Sequence, residues 1–587
     1  MNGALSTLDW VIIAGYLLIS LAVGLVFTRR AGKSMAEYFI SGRNLPWWIA
    51  GTSMVATSFA SDTPLYVTGL VRNFGIYQNW EWWAFAAGGM LSVFVFSRLW
   101  RRAEVLTDVE LTELRYSGRS AAALRAARAL YFALPLHSIT MAWAIFAMAT
   151  FLRIVVGLSA EWAVVACVVL TLTYAVLSGF WGVVVTDLLQ FVIAMVGAIV
   201  LCVVVVADVG GLGRLAAGAA GASEHGETVV RFFPPAPAAF APGTWDFWST
   251  PFVGFCIFVT VLWWANKNAD GGNVVVQRML ASKDEKNSLL ATLWFNVANY
   301  ALRPWPWILV ALASIVVLPN LPPERAEEAY PLMIKTYLPS GLLGLVVASF
   351  LGAFMSTIDT LLNLSASYAV NDVYRRFLVR DASERHYVLA SRIASVFFML
   401  LASVIALRAE SVRGLFRFLL TFSSGVGLVY LLRWFWWRVN AWSEIAAMAA
   451  SAILGTTFIF AAGPLGLKFP APLFITVVGS TAVWVAVTFL TKPVSEERLV
   501  AFYRKVRPYG FWGPIAAKAG VAPARGLGRM LLAWAAGTVM VLAATLGIGK
   551  ALLEGASQGT VYLAIAAAGA VVVVWEIVRM TGRRAAA

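Results

Sequence analysis

The chain is poor in charged residues, in cysteine and in histidine. Only 13% of its 587 residues are Asp, Glu, Lys or Arg, against about 25% in soluble domains. Because so few charges cannot cover the several soluble domains that this length would otherwise form, we exclude a soluble enzyme. The three cysteines lie in apolar stretches, and the three histidines have no metal-ligand spacing, which excludes a disulfide framework and a metal motif.

The chain is rich in apolar residues, which occur in long blocks. Hydrophobic residues make up 60% of it. We expect an all-α polytopic membrane protein with about 15 transmembrane helices, because the blocks run for about 20 residues, enough to cross a ~30 Å hydrocarbon core. The first block lacks the basic start and cleavage site of a signal peptide and is expected to stay as a helix. The segments are a leading helix (8–27), a first half (46–206), an extracytoplasmic loop (207–247), a second half (248–435), two trailing helices (440–491), a basic amphipathic cytoplasmic linker (492–528) and two C-terminal helices (529–579).

The net charge of +15 is explained by membrane orientation. If the N-terminus lies outside and the helices alternate, most of the 45 Lys and Arg residues fall in cytoplasmic loops, as the positive-inside rule requires. We therefore expect a multi-pass protein of the cell (inner) membrane with a cytoplasmic C-terminus. Its surroundings are the lipid bilayer, and no nucleic-acid partner is expected.

Two predicted helices are interrupted by polar residues and by residues that break helices. In the helix over 46–70, Pro64 removes a backbone donor and disfavours helical geometry at Thr63. The second interrupted helix, over 248–270, comes five helices after the first in the chain. This odd offset gives the two helices opposite orientations in the membrane, as an inverted repeat of five plus five helices requires. The helix over 248–270 and the residues directly after it carry Asn266, Lys267, Asn268, Asp270 and the pair Gly271–Gly272.

Ionisable residues inside the apolar blocks cost about 2.5–3.5 kcal/mol each on insertion scales, so by default they mark a pathway or a partner. Structural alternatives stay open for several of them. Asp187 suits a helix cap near the inner face, and Glu81 and Asp270 suit an interface. Arg303 suits a cap for carbonyls freed by the prolines that follow it. The candidates are Asp62, Glu81, Asp187, Lys267, Asp270, Arg303 and Asp359.

Small residues and hydroxyls share one helix face within 349–377. Ala353, Ser356, Thr357 and Thr360 follow i, i+3, i+4, i+7 spacing. Such a face serves either close helix packing or a sodium site, because Na⁺ is a hard cation that prefers oxygen ligands.

Several stretches, in order, resemble the sodium:solute symporter family, which includes the sodium-coupled glucose, proline, pantothenate and sialic acid transporters. The resemblance runs from about residue 8 to about residue 460. It implies an inverted-repeat (five plus five helices), amino-acid/sodium symporter-like core with one leading and about four trailing helices. The stretches are AEYFISGRNLPWWIAGTSMVATSFASD (36–62), YAVLSGFWGVVVTDLLQFVIAMVGAIV (174–200), NVVVQRMLASKDEKNSLLATL (273–293), FMSTIDTLLNLSASYAVNDVYRRF (354–377) and FWWRVNAWSEIAAMAAS (435–451).

The resemblance also implies ion sites. Asp359 stands where two-sodium members carry a hydroxyl, so this carboxylate either strengthens a second sodium site or replaces its ion by a proton. For the first sodium site the resemblance implies the carbonyls of Ala60, Thr63 and Ala353 and the hydroxyls of Ser356 and Thr357. For a second sodium or proton site nearer the cytoplasm it implies Asp187, Ser356, Asp359 and Thr360.

A solute pocket is implied at the membrane midplane, between the interrupted helices. NWEWW (79–83) and WAN (264–266) resemble the sugar-transporting members, whereas ASD (60–62) resembles the proline-transporting branch. Opposite charges beside aromatic rings favour a zwitterion or a carboxylate, and a sugar stays open. The candidate residues are Ser58, Ser61, Asp62, Gln78, Glu81, Trp82, Trp264, Asn266 and Lys267.

We therefore expect a sodium-coupled secondary symporter that imports a small polar organic solute by alternating access. Na⁺ is the expected coupling ion, and no obligatory protein partner is expected. The alternatives are a proton-coupled symporter and a membrane sensor or receptor, although no output domain is expected after the last helix. No metal motif, nucleophile–histidine arrangement or phosphate loop indicates a membrane enzyme.

Overall fold

Helices make up nearly all of the structure. The computed structural model describes residues 5–31, 41–58, 61–105, 107–175, 180–237, 240–272 and 274–582. Within these ranges no strand forms, and the only β-type pairings are two isolated bridges, Leu45–Ser282 and Trp436–Phe511. The predicted all-α class is confirmed.

The helices follow the order of the predicted apolar blocks. The first half contains α1 (Thr7–Ala31), α2 (Trp47–Thr57), α3 (Asp62–Phe74), α4 (Ile76–Ala103), α5 (Gly118–Val155), α6 (Ala160–Ala175) and α7 (Phe180–Asp208), followed by the loop helix α8 (Leu212–Ala222). The second half contains α9 (Pro251–Ala265), α10 (Val274–Ala281), α11 (Glu285–Val317), the loop helix α12 (Ala329–Tyr337), α13 (Leu342–Leu378), α14 (Glu384–Arg408), α15 (Val412–Ser423) and α16 (Gly427–Phe435). After it come α17 (Ala441–Ala461), α18 (Ala471–Leu490), the linker helices α19 (Glu496–Val506) and α20 (Gly513–Ala519), α21 (Leu527–Leu553) and α22 (Ala556–Gly582).

Length and hydropathy identify the membrane spans. Among the described residues ten helices are long and apolar enough to cross a membrane, or eleven if α15 and α16, bent by 45°, form one span. Among the residues searched, shorter apolar stretches lie at Thr7–Ser20 in α1, Ala160–Leu172 in α6 and Pro251–Ala265 in α9. The count of fifteen and the segment boundaries stay predictions. The spans α4, α11 and α13 are mostly buried, whereas α14 leaves most of its apolar side chains exposed, as a lipid-facing helix does.

Both predicted interruptions are present. The first lies between α2, which ends at Thr57, and α3, which begins at Asp62. Pro64 therefore falls in the first turn of α3, where its missing N–H needs no partner.

The second interruption lies between α9 and α10. The side chain of Asn266 donates to the carbonyls of Leu262 (3.3 Å) and Trp263 (3.0 Å), and its oxygen accepts from the Asn268 N–H (2.8 Å). Gly271 has φ +74°, a conformation that favours glycine. Asn266 and Gly271 thus account for the end of α9 and for the turn that follows it.

The C-terminal helix α21 packs against the core. Trp534 Nε1 donates to the Ala87 carbonyl of α4 (2.8 Å), and the Trp534 ring lies 5.3 Å from that of Trp263. Thr545 Oγ1 donates to the Tyr300 carbonyl (2.9 Å), which belongs to a π-helical turn of α11 over residues 297–302. The last pair of helices is therefore joined to the walls of the central cavity.

Candidate functional site

A cavity of about 330 Å³ lies between the two interruptions. Interrupted helices expose backbone groups and polar side chains at the midplane, which is where transporters of this architecture bind solute and ions. The first interruption contributes Ser58, Asp62 and Thr63 to the cavity wall, the second contributes Asn266, Lys267, Asn268 and Gly271, and aromatic side chains contribute Trp82, Trp143, Trp263, Tyr300 and Phe416.

Lys267 brings a positive charge into this cavity. Its side chain is 8% exposed, and within the described part of the chain it has no ion pair and no hydrogen bond. Burying an ammonium group without a counter-charge is costly, and proteins normally pair such groups. A negatively charged group bound beside Lys267 would supply this counter-charge.

Asp62 brings the opposite charge. Its Oδ1 is buried and has no hydrogen-bond partner among the described residues. The charge of Arg303 acts on this carboxylate, but its guanidinium donates elsewhere, to the carbonyls of Val55 (3.0 Å) and Ser58 (3.1 Å). Arg303 thus caps the end of α2, instead of only capping carbonyls freed by the prolines that follow it.

The structure brings together some of the predicted solute-binding residues and places others elsewhere. Ser58, Asp62, Trp82, Asn266 and Lys267 line the cavity, whereas Ser61, Gln78, Glu81 and Trp264 do not. The Ser61 hydroxyl is buried and donates to the Ala144 carbonyl (3.4 Å), and the Trp264 indole donates to the Thr260 carbonyl (2.7 Å).

Glu81 is fully buried in an ion-pair cluster between α4 and α15. Its carboxylate accepts two hydrogen bonds from Arg417 (2.7 and 2.8 Å), one from Arg413 (3.3 Å) and one from Gln78 (2.9 Å). The residues Val412, Phe416 and Leu419 of α15 line the cavity. The Glu81 cluster therefore holds one cavity wall in place.

Replacing Glu81 by glutamine should destabilise the protein by about 3–5 kcal/mol, because two largely buried guanidinium groups lose their counter-charge. Thermal unfolding of the purified protein measures this effect. The control is Glu324→Gln, which makes the same change at an exposed position. Unchanged stability together with weakened solute binding would instead favour direct contact between Glu81 and the solute.

Four of the five residues predicted for the first sodium site lie within the described part of the chain. Thr63 lies in the cavity wall, and Ala353, Ser356 and Thr357 are buried on α13, which contacts α2. The Thr357 hydroxyl is buried and has no hydrogen-bond partner in the described ranges, so its oxygen is available to a cation. Ala60 lies outside the described residues.

The predicted second site is centred on Asp187, which is fully buried. Its carboxylate accepts from Ser53 (2.6 Å), Ser356 (2.6 Å) and Thr57 (3.4 Å), and Arg278 Nη2 lies 3.7 Å from Oδ2. The other two predicted members are also buried on α13. Asp359 accepts from Asn363 (3.2 Å), and Thr360 lies one residue further.

Asp270 is paired in the structure. Its Oδ2 accepts from Arg433 (2.6 Å) and from the Trp434 indole (2.8 Å). Arg433 also lies 3.4 Å from Glu444, which in turn pairs with Arg128 (3.2 Å). This buried chain of charges connects the second interruption to α16, α17 and α5.

Sequence reasoning missed the arginines of these pairs. The positive-inside rule treats arginines as loop residues, and the predicted site residues do not include Arg278, Arg413, Arg417 and Arg433. The structure buries Arg278 and Arg433, and it places Arg413 and Arg417 on Glu81. The usable signal was a carboxylate inside an apolar block, which needs a partner of opposite charge.

An all-helical membrane protein with two interrupted helices around a cavity has the architecture of a secondary transporter. A sequence model of the sodium:solute symporter family matches residues 38–453, and the chain belongs to this family. The expected family is thus confirmed, and so is sodium as the coupling ion.

The chain is also similar to individual proteins. It is 24% identical to a sodium/glucose cotransporter of Vibrio parahaemolyticus over 521 residues, covering 84% of this chain and 92% of the relative. It is 26% identical to a sodium/mannose cotransporter of Bos taurus over 501 residues, covering 79% and 81%. The structure of a Na⁺-coupled sialic acid symporter in a substrate-bound outward-open state matches with a TM-score of 0.65 and 21% identity, covering 84% of this chain and 99% of that one. At this identity the structural match shows the fold, and it confirms the predicted core.

Proposed function

We propose that the protein is a sodium-coupled symporter that imports a small carboxylate-bearing solute, with an amino acid as the preferred type. The observation that carries the proposal is Lys267, a buried cavity lysine without a counter-charge among the described residues. A solute carboxylate supplies the missing anion through charge-assisted hydrogen bonds.

The opposite charge of the cavity supports a zwitterion. Asp62 has a buried carboxylate oxygen without a hydrogen-bond partner in the described residues, and it lines the same cavity as Lys267. An amino acid places its carboxylate at Lys267 and its ammonium at Asp62. The aromatic rings of Trp82 and Trp263 add a surface against which a cation or an apolar side chain packs.

Sodium binds, in this proposal, to the carbonyls of Ala60, Thr63 and Ala353 and to the hydroxyls of Ser356 and Thr357. The ion then joins the first interruption to α13 and favours the state that accepts solute, which is a shift of population between conformations. A membrane potential of ~100 mV provides about 2.3 kcal/mol per charge. This supports roughly 50-fold solute accumulation per ion.

The proposed location is the inner membrane, with the N-terminus outside and the C-terminus in the cytoplasm. The support is the distribution of Lys and Arg residues over the loops. In this orientation the Glu81 cluster lies on the outer side of the cavity and the Asp187 and Asp270 clusters on the inner side.

A thermal-shift screen tests the solute class. Purified full-length protein is heated with amino acids, simple carboxylates and sugars, each with sodium and with choline in its place. We expect stabilisation by amino acids or carboxylates only when sodium is present, because a ligand that binds the folded state raises the unfolding temperature. Glucose and mannose belong in the panel because relatives are named for them. Stabilisation by sugars alone would contradict the carboxylate assignment.

A further inference from the structure

We propose that Arg278 is a tethered cation that fills the second cation position at Asp187, so that the protein binds a single sodium ion. The inference rests on the proposed sodium-coupled function and goes beyond it by fixing the number of ions. At Asp187, it replaces both alternatives for the predicted second site, a sodium ion and a proton.

The contacts place the guanidinium among the oxygens that a second cation would need. Arg278 Nη2 lies 3.7 Å from Asp187 Oδ2 and donates to Thr57 Oγ1 (2.7 Å), and Arg278 Nε lies 3.4 Å from Ser53 Oγ. The hydroxyls of Ser53 and Thr57 also donate to Asp187. An ion that entered this position would therefore compete with the guanidinium for the carboxylate and the two hydroxyls.

The charges at this position are already balanced. Asp187 and Arg278 are both completely buried, and together they carry no net charge. A sodium ion added to this pair would leave one uncompensated positive charge in a medium of low dielectric constant, which is strongly unfavourable. A second sodium ion at Asp187 thus requires that the Arg278 guanidinium move away. The charge of the guanidinium would then be buried without Asp187 as its partner.

The position of Arg278 explains what the tethered charge does. It belongs to α10, directly after the second interruption, whereas Ser53 and Thr57 belong to α2, directly before the first. Asp187 comes from α7, and it also accepts from Ser356 of α13, a ligand of the proposed first sodium site. One guanidinium therefore joins both interrupted helices to the helix that holds the transported ion.

Equilibrium binding of radioactive ²²Na⁺ to the purified full-length protein tests the proposal without a solute. We expect one bound sodium ion per protein in the wild type and two in Arg278→Gln, where the charge of Asp187 becomes available. Arg278→Lys keeps the positive charge and should bind one. The double variant Asp187→Asn/Arg278→Gln removes both charges and should also return to one.

The outcomes separate the two proposals. Two bound ions in the wild type would overturn the role of Arg278, whether or not any variant folds. One bound ion in an Arg278→Gln protein that unfolds at the wild-type temperature would overturn it as well. No bound sodium in the wild type would instead overturn the proposed function.

Discussion

Replacing Lys267 by methionine should abolish uptake of a carboxylate-bearing solute while leaving the protein folded and able to bind sodium. The lysine is buried in the cavity wall without an anion among the described residues, so its removal relieves an unfavourable charge and should not lower stability. Losing one partner of a buried charge pair costs about 2–5 kcal/mol in binding. Solute affinity should therefore fall by at least about 30-fold, since each 1.4 kcal/mol is tenfold.

Solute-dependent thermal shift and uptake into proteoliposomes measure the effect of Lys267→Met. Lys286→Met makes the same substitution at an exposed position and serves as the control. Asp62→Asn distinguishes the two solute types, because it should weaken the binding of an amino acid strongly and the binding of a simple carboxylate little. Unchanged affinity in Lys267→Met would remove the carboxylate assignment.

The second large effect is expected from Thr357→Val. This substitution keeps the shape of the side chain and removes an oxygen that has no hydrogen-bond partner within the described ranges. It therefore breaks no hydrogen bond of the protein, and any change in sodium dependence reports on the ion itself. We expect the sodium concentration for half-maximal uptake to rise at least about tenfold, the change that corresponds to 1.4 kcal/mol, with solute affinity at saturating sodium nearly unchanged.

Ser349→Ala is the matched control for Thr357→Val. Ser349 lies on α13 about two turns earlier, and its hydroxyl is also buried without a partner among the described residues. Ser356→Ala combined with Thr357→Ala should raise the sodium requirement further, but it also removes the hydrogen bond from Ser356 to Asp187. If Thr357→Val leaves the sodium requirement unchanged, the first sodium site is assigned to the wrong residues.

The helical class and both interruptions could be predicted because they depend on local sequence. Apolar length determines which segments span the membrane, and Pro64 and Gly271 act on the backbone beside them. The predicted helix over 248–270 nevertheless ends at Ala265 in the structure. The reason is Asn266, whose side chain bonds the last carbonyls of α9 and turns the chain there.

The ion pairs could not be predicted in the same way. Glu81 and Arg417 are more than three hundred residues apart in sequence, as are Arg115 and the Arg433 carbonyl of α16 to which it donates. Hydropathy treats an arginine at the end of an apolar block as a loop residue, whether it faces water or a buried carboxylate. As a result, Glu81 is among the predicted solute-binding residues, whereas Arg278 is not among the predicted site residues.

Finally, the hydrogen bond from Thr545 to the Tyr300 carbonyl links the C-terminal helix α21 to the π-helical turn of α11. The usual helical donor to the Tyr300 carbonyl would be the N–H of residue 304, which is a proline and has none, and here a hydroxyl from α21 donates to this carbonyl. In lipid an unsatisfied carbonyl costs several kcal/mol. The turn and the C-terminal helix should therefore be inherited as a unit. A relative that lacks the helix must carry another residue in place of Pro304 or supply another donor, and a chain shortened before Leu527 would lose the hydrogen bonds of α21 to Ala87 and Tyr300.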